Sequence, residues 1–244
     1  MSIAENVARI RAQMEAAAIA AGRDPKTIQL CAATKTNDAE AVREAIRAGV
    51  DCCGENRVQE LTAKLSQNAY EGAPVHFIGH LQTNKVRQVV GKVDLIQSVD
   101  SERLLAAIDA EAKKQGIRQN VLLEVNIGEE SSKSGFAAAD ILPFLENCGK
   151  YSNICIKGLM AIPPISQKPG DNQKFFQKLS QIYVDIQGKK GDNVMVDCVP
   201  FIQAECLSMG MSDDYIDAIA CGSTMIRVGT AIFGARDYTK PHQS

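Results

Sequence analysis

Tryptophan is absent from this chain, and the other aromatic residues bring the total to only 5% of 244 residues. A platform that stacks single-stranded bases needs exposed aromatic faces, so that class of function has no support. Surplus charge is missing as well. Lys and Arg number 27 against 29 Asp and Glu, a net charge of −2, and no basic field exists to hold a phosphodiester backbone. Long hydrophobic runs are lacking. The stretch Ala16 to Ala21 is too short and too rich in alanine to span a bilayer, and Glu5 and Arg9 interrupt the apolar core a signal peptide requires. The expectation is a cytoplasmic protein that engages neither membrane nor nucleic acid. No C-x-x-C pair occurs among the eight cysteines (31, 52, 53, 148, 155, 198, 206 and 221), half of which fall inside apolar strand-like runs. They read as reduced core residues rather than a disulfide framework or a zinc site. Nor is there a Pro/Gly/Ser-rich linker or a break in composition, which points to a single domain over residues 1–244.

What the chain does contain is organised around Ile28-Gln-Leu-Cys-Ala-Ala-Thr-Lys35-Thr-Asn-Asp38. Residues 28–33 have the length and apolarity of a strand buried on both faces, and Asn37 or Asp38 can cap the amphipathic segment that follows. Lys35 therefore sits at the carboxyl end of a buried parallel strand, where α/β folds carry their chemistry. Strand alternation gives it the small neighbours Cys31 and Ala33 on one face, room enough for a flat ligand. A solvated lysine is a free amine in only about one molecule in 2,500 at neutral pH; a pKa lowered to about 7.5 by burial or a nearby cation would make that roughly one in four. Such an amine could bond an aldehyde or ketone as a Schiff base. The segment alone leaves open the other reading, a solvated lysine just past a strand.

Ile3, Val7, Ile10, Met14 and Ala18 keep a helical period, so residues 2–21 form a helix that could cover the floor of a barrel. Strands are expected at 28–33, 50–53, 75–78, 93–99, 121–127, 154–161, 204–208 and 223–228. Apolar stripes mark the helices between them: Val42, Ala45 and Ile46; Val58, Leu61 and Leu65; Val86, Val89 and Val90; Leu104, Leu105 and Ile108; Ile141, Leu142 and Leu145; Phe175, Phe176, Leu179 and Ile182. Ser101 and Ser212 stand where N-caps are needed, and Gly49, Gly116 and Gly222 where helices stop. Residues 188–203 are ambiguous, since Val194 to Val199 could pair as a strand or simply lead into Pro200. Eight strands and seven helices at roughly 30 residues per unit match a (β/α)8 TIM barrel over about 28–236, followed by a polar tail. A doubly wound open sheet is the alternative. Only closure is expected to bring Arg227 and Gly229 beside Lys35.

Met225-Ile-Arg-Val-Gly229-Thr230 places a cation in an apolar run and then a glycine turn, where barrels often bind phosphate, and Leu207-Ser208-Met-Gly210 adds a hydroxyl from the neighbouring strand end. Each glycine could equally be a turn residue, and Arg227 could be a structural ion pair with Glu124 or Glu205. His76 reads as a packed strand residue and His80 as a solvated loop residue. A lysine for an aldehyde, a cup for a phosphate and an arginine between them suit pyridoxal 5′-phosphate (PLP) better than other common cofactors.

Ordered motifs extend this pattern along the chain: Ala33-Thr-Lys35, Gly54-Glu-Asn-Arg-Val-Gln-Glu60, His76-Phe-Ile-Gly79, Leu81-Gln-Thr-Asn-Lys85, Val125-Asn-Ile127 with Lys133-Ser-Gly135, Lys157-Gly-Leu-Met160, Leu207-Ser-Met-Gly-Met-Ser-Asp-Asp214 and Arg227-Val-Gly-Thr-Ala-Ile-Phe-Gly234. With them the chain resembles the pyridoxal phosphate homeostasis proteins, also called the proline synthase co-transcribed or YggS-like family. The resemblance implies a fold-type III barrel like the N-terminal domain of alanine racemase. It also implies PLP joined to Lys35, its phosphate held by Ser208, Gly229 and Thr230, its pyridine nitrogen faced by Arg227, and Asn56 in the binding pocket. Where that family often has proline, this chain has His80, a position at the mouth.

An arginine at the pyridine nitrogen disfavours protonation there and weakens the ring as an electron sink. Racemisation also needs acid/base groups on both faces of the substrate carbon, and the chain ends about ten residues past the last barrel motif, short of the second domain that two-domain racemases use. The expected role is therefore a non-catalytic carrier that buffers or delivers PLP to PLP-dependent apo-enzymes, as a monomer or weak dimer. The alternatives are a small PLP-dependent amino-acid racemase, with a Tyr or Cys as second base, and a cofactor-free lysine aldolase.

Overall fold

A computed structural model describes residues 1–130, 133–166, 168–191 and 202–234. Eight strands alternate with helices: β1 (Gln29–Ala33), β2 (Cys52–Glu55), β3 (Val75–Phe77), β4 (Leu95–Val99), β5 (Gln119–Glu124), β6 (Ile154–Met160), β7 (Ile202–Ser208) and β8 (Met225–Val228). They close into a barrel in chain order, every neighbouring pair parallel. The expected barrel is therefore observed, and the open sheet is not. Closure runs through β8 against β1, with Cys31 opposite Arg227 and Ala32 opposite Val228.

The helices are α1 (Ile3–Ala20), α2 (Ala39–Arg47), α3 (Val58–Ser66), α4 (Glu102–Gln115), α5 (Ile141–Asn147), α6 (Gln173–Gly191), α7 (Tyr215–Ala220) and α8 (Thr230–Phe233). Asp38 caps α2 by accepting the Ala41 N–H at 2.9 Å, and Ser101 caps α4. Gly116 ends α4 in the left-handed conformation at φ 65°, which glycine adopts without a Cβ penalty. Their apolar stripes pack on the outward faces of the strands, and these interfaces form most of the core.

Several expectations need correction. α1 does not cover the barrel floor: Val7, Ile10, Met14 and Ala18 pack with Leu30, Ala32, Ile226 and Val228 and with Ile219 and Ile232, so the helix seals the outside of the β8–β1 seam. Each large apolar side chain buried there contributes about 1.5–3 kcal/mol, which makes α1 part of the closure itself. The stripe of Val86, Val89 and Val90 does not form an α-helix; Thr83–Gln88 is a 3₁₀ turn. Ser212 does not cap α7. The Asp214 carboxylate instead accepts the Met211 N–H at 2.7 Å and the Asn172 side chain at 2.7 Å, folding residues 211–214 into a turn that delays the helix to Tyr215. Strand β2 runs Cys52–Glu55, two residues later than the expected 50–53. The alternatives for 188–203 and the polar tail fall largely on 192–201 and 235–244, outside the described residues.

Candidate functional site

Every strand of a parallel barrel points its carboxyl end to one mouth, and the residues singled out from the sequence lie there. Lys35 is half-buried in the turn after β1, and Asn56 follows β2. Ser208 ends β7, Arg227 is the third residue of β8, Gly229 follows that strand, and Thr230 opens α8. A Cβ added to Gly229 would sit 3.4 Å from the Ala33 Cβ, so the β8 turn lies against the strand that carries Lys35. Closure thus produces the juxtaposition that linear spacing could only suggest.

The turn holding Lys35 is strained and pinned. Thr36 adopts φ 65°, an unusual conformation for a β-branched residue. Its N–H donates to the Glu60 carboxylate at 2.9 Å, and its hydroxyl donates to the Lys35 carbonyl at 2.6 Å. On the other side of Lys35, the Thr34 carbonyl accepts from Lys64 Nζ at 2.7 Å. That ammonium also pairs with Glu55 Oε1 at 2.7 Å, where Tyr70 and the Thr34 hydroxyl donate too. Glu55, Lys64, Thr34 and Tyr70 are all buried. Sequence reasoning missed this cluster because a lysine in an amphipathic helix is normally a surface residue; the acidic Glu55 inside a strand was the available signal.

A second network fills one side of the barrel interior. Arg227 donates to the Ser208 hydroxyl at 2.6 Å and to the Ala161 carbonyl at 3.0 Å. Ser208 donates to Gln97 Oε1 at 2.7 Å, and Gln97 Nε2 donates to His76 Nδ1 at 2.9 Å. His76 Nδ1 lies 3.5 Å from the Cys52 sulfur. Burial lowers the pKa of Arg227, opposed by the nearby charges of Cys31 and Glu124. Cys31 is drawn down to about 6, chiefly by its hydrogen bond from Cys52 and then by His76 and Arg227, while Cys52 moves up. Across the barrel Leu95, Leu122 and Met160 form an apolar counterpart.

Glu124, half-buried at the end of β5, is raised by burial and by the charge of Asp100, against Arg227 and His80. It lines a cavity of about 220 Å³ with Asn126, Lys133, Ser134 and Ile162. Arg227 is not hydrogen-bonded to Glu205, which lies instead with Lys157 at 3.2 Å. His76 is packed in the interior as expected, and His80, exposed as expected, pairs with Asp100 at 3.1 Å. Asn56 Oδ1 is buried with no hydrogen-bond partner among the described residues. An acceptor left so is expensive unless something docks against it. Ser208, by contrast, has its hydroxyl committed inward.

The sequence profile of the alanine racemase N-terminal domain matches residues 2–237. A pyridoxal phosphate homeostasis protein of Pseudomonas aeruginosa is 39% identical over 241 residues, covering 98% of both chains. The chain belongs to the pyridoxal phosphate homeostasis family. Its barrel is similar to that of PipY from Synechococcus elongatus in a structure with PLP bound, at 33% identity and TM-score 0.79, over 96% of this chain and all of the other. An alanine racemase from Streptomyces lavendulae shares the fold at TM-score 0.69 and 14% identity, over 96% of this chain and 57% of that one. Family membership therefore rests on matches that run nearly end to end, while the racemase likeness shows the barrel alone. Among the described residues, no helix of this family member is long and apolar enough to cross a membrane.

Proposed function

We propose that this chain binds PLP at the barrel mouth and serves as a carrier that buffers the cofactor and releases it to apo-enzymes. The observation that carries the reading is the closure register, which sets the buried Arg227 opposite Cys31 and Gly229 against Ala33, on the strand that leads into Lys35. When bound, PLP supplies an aldehyde for an amine and an electron-withdrawing ring. Lys35 offers the amine, in a turn held from both sides by Glu60 and Lys64. Gly229 and Thr230 form the phosphate end, and Asn56 supplies the acceptor that lacks a partner in the protein. Ser208 acts there by fixing Arg227, whose guanidinium would face the ring nitrogen and hold it unprotonated.

That arginine argues for holding rather than turning over an amino acid, since an unprotonated ring withdraws electrons weakly. Among the described residues, the tyrosine form of the racemase alternative finds no uncommitted hydroxyl to act as second base. Tyr70, Tyr183 and Tyr215 spend their hydroxyls on Glu55, the Ala204 carbonyl and Gln13, and Tyr151 spends its own on Glu102. The full-length relatives that share the homeostasis name support the same reading. The whole chain would act as one unit, monomeric or weakly dimeric, in the cytoplasm.

The test is a PLP titration followed by visible absorbance and by mass after borohydride reduction. Wild type should gain one reduced cofactor on the peptide containing Lys35, and Lys35→Ala should gain none. A reduced adduct mapped to another lysine, or no adduct at saturating PLP, would refute the proposal. Racemisation of any amino acid well above the rate with free PLP would refute the carrier role while leaving the binding site standing.

A further inference from the structure

The interior network ends, on the side away from the mouth, in a sulfur and nitrogen cluster that PLP binding does not use. Cys31 and Cys52 are register partners on β1 and β2, and His76 lies on β3 opposite Gly54, two residues past Cys52. One ligand atom from each, two sulfurs and an imidazole nitrogen, lie within 4.8 Å of one another, and all three residues are buried. Gln97 Nε2, which can only donate, is directed at His76 Nδ1, so that nitrogen is the unprotonated one; a metal would take its lone pair in place of the Gln97 N–H, whose nitrogen already lies 3.1 Å from the Met225 sulfur. The lone pair is also 3.5 Å from the Cys52 sulfur. Metal–sulfur and metal–nitrogen bonds of about 2.3 and 2.05 Å at a tetrahedral angle place sulfur and nitrogen about 3.6 Å apart, so this edge already has the spacing of a coordination polyhedron.

We propose that Cys31, Cys52 and His76 form a soft-metal site, buried within the barrel, that takes one zinc-class divalent cation per chain. Two thiolates and one neutral imidazole balance a divalent charge, which suits an interior that already holds the Arg227 guanidinium. A further sulfur is at hand: Met225 packs on both thiols, and Cys206 packs against the same cluster. A hard cation finds few oxygens here, so the donor set selects zinc or cobalt over magnesium or calcium. Cys31 is 0% and Cys52 2% exposed, which leaves no open route from solvent, and the ion would enter as the barrel folds. The thiols release two protons on binding, and no electron is transferred. Cys31 comes four residues before Lys35 and stands opposite Arg227, so the metal would lie beneath the amine and beside the arginine of the proposed cofactor site.

Cobalt reports the ligand set directly. The full chain is unfolded in denaturant with a non-thiol reductant, refolded with cobalt(II), and desalted; bound metal is counted and the spectrum recorded. Wild type should retain one cobalt per chain, with a thiolate charge-transfer band and the intense visible bands of a tetrahedral ion. Cys31→Ser and Cys52→Ala should each abolish the charge-transfer band or cut it at least in half, and His76→Gln should weaken retention by roughly tenfold or more. Circular dichroism identifies any variant that fails to fold, and the wild-type measurement decides the matter without variants. Native wild type that retains no cobalt overturns the proposal, as does a weak octahedral spectrum or a spectrum unchanged in a folded Cys31→Ser/Cys52→Ala double variant. Cys31 and Cys52 recovered as a disulfide in place of bound metal, after refolding with cobalt under reductant, would overturn it too.

Discussion

Replacing Lys64 by methionine tests whether the buried cluster behind Lys35 is built as described. The ammonium makes two charge-assisted hydrogen bonds, to Glu55 Oε1 and to the Thr34 carbonyl, each at 2.7 Å. At about 1.5–3 kcal/mol for each such bond, their loss costs about 3–6 kcal/mol. The independent figure for breaking a buried ion pair from one side is about 3–5 kcal/mol, because the remaining charge stays buried. The two estimates overlap near 4 kcal/mol. Glu55 has little to fall back on: its second oxygen is buried without a partner, and the first would keep only the hydroxyls of Thr34 and Tyr70. A Glu55→Gln/Lys64→Met double variant removes both charges and should recover most of that stability. It cannot restore the donor on the Thr34 carbonyl, so PLP affinity should stay reduced in the double variant even where stability returns. Urea unfolding of wild type, both single variants and the double gives the cycle, and a PLP titration of each gives the second readout. A Lys64→Met loss below about 1 kcal/mol, or a double variant no more stable than Lys64→Met, would show the pair to be of the inexpensive, solvent-screened kind.

Ser208→Ala strands Gln97 Oε1 and Arg227 Nη1 inside the barrel and should destabilise by about 1–3 kcal/mol in chemical denaturation. A methyl at Gly79 would fall 2.2 Å from the Asn56 carbonyl, so Gly79→Ala should cost about 1–3 kcal/mol and weaken PLP binding in titration by displacing Asn56. Glu124 is raised by burial, so its ionisation opposes folding: the contribution is favourable below the ordinary carboxylate range and is lost as pH rises through the folded value. Glu124→Gln should therefore gain stability relative to wild type between acid and neutral pH, and a gap in urea midpoints that does not change with pH would contradict it.

Much of the site was legible in sequence because it rests on local signals. An apolar run ending in lysine places Lys35 at a strand end, and Asp38, Ser101 and Gly116 act where capping chemistry puts them. Signals failed where a local pattern met a tertiary competitor. Ser212 has the right chemistry for an N-cap, but Asp214 reaches both the Met211 amide and Asn172 and takes the turn. Lys64 sits in an amphipathic helix and was invisible as a buried group until Glu55 was found across from it.

Periodicity alone marked the eight strands along the chain and the helices between most of them, since alternation and helical period are written residue by residue. It also determined that Arg227 would be buried in an apolar run. Closure and register were decided only in three dimensions. Cys31, Cys52, His76, Gln97, Ser208 and Arg227 come from β1, β2, β3, β4, β7 and β8, and they meet because the barrel closes with their faces turned inward. A strand's sequence states which residues share a face; which faces then meet depends on the shear of the closed sheet, a property of all eight strands together.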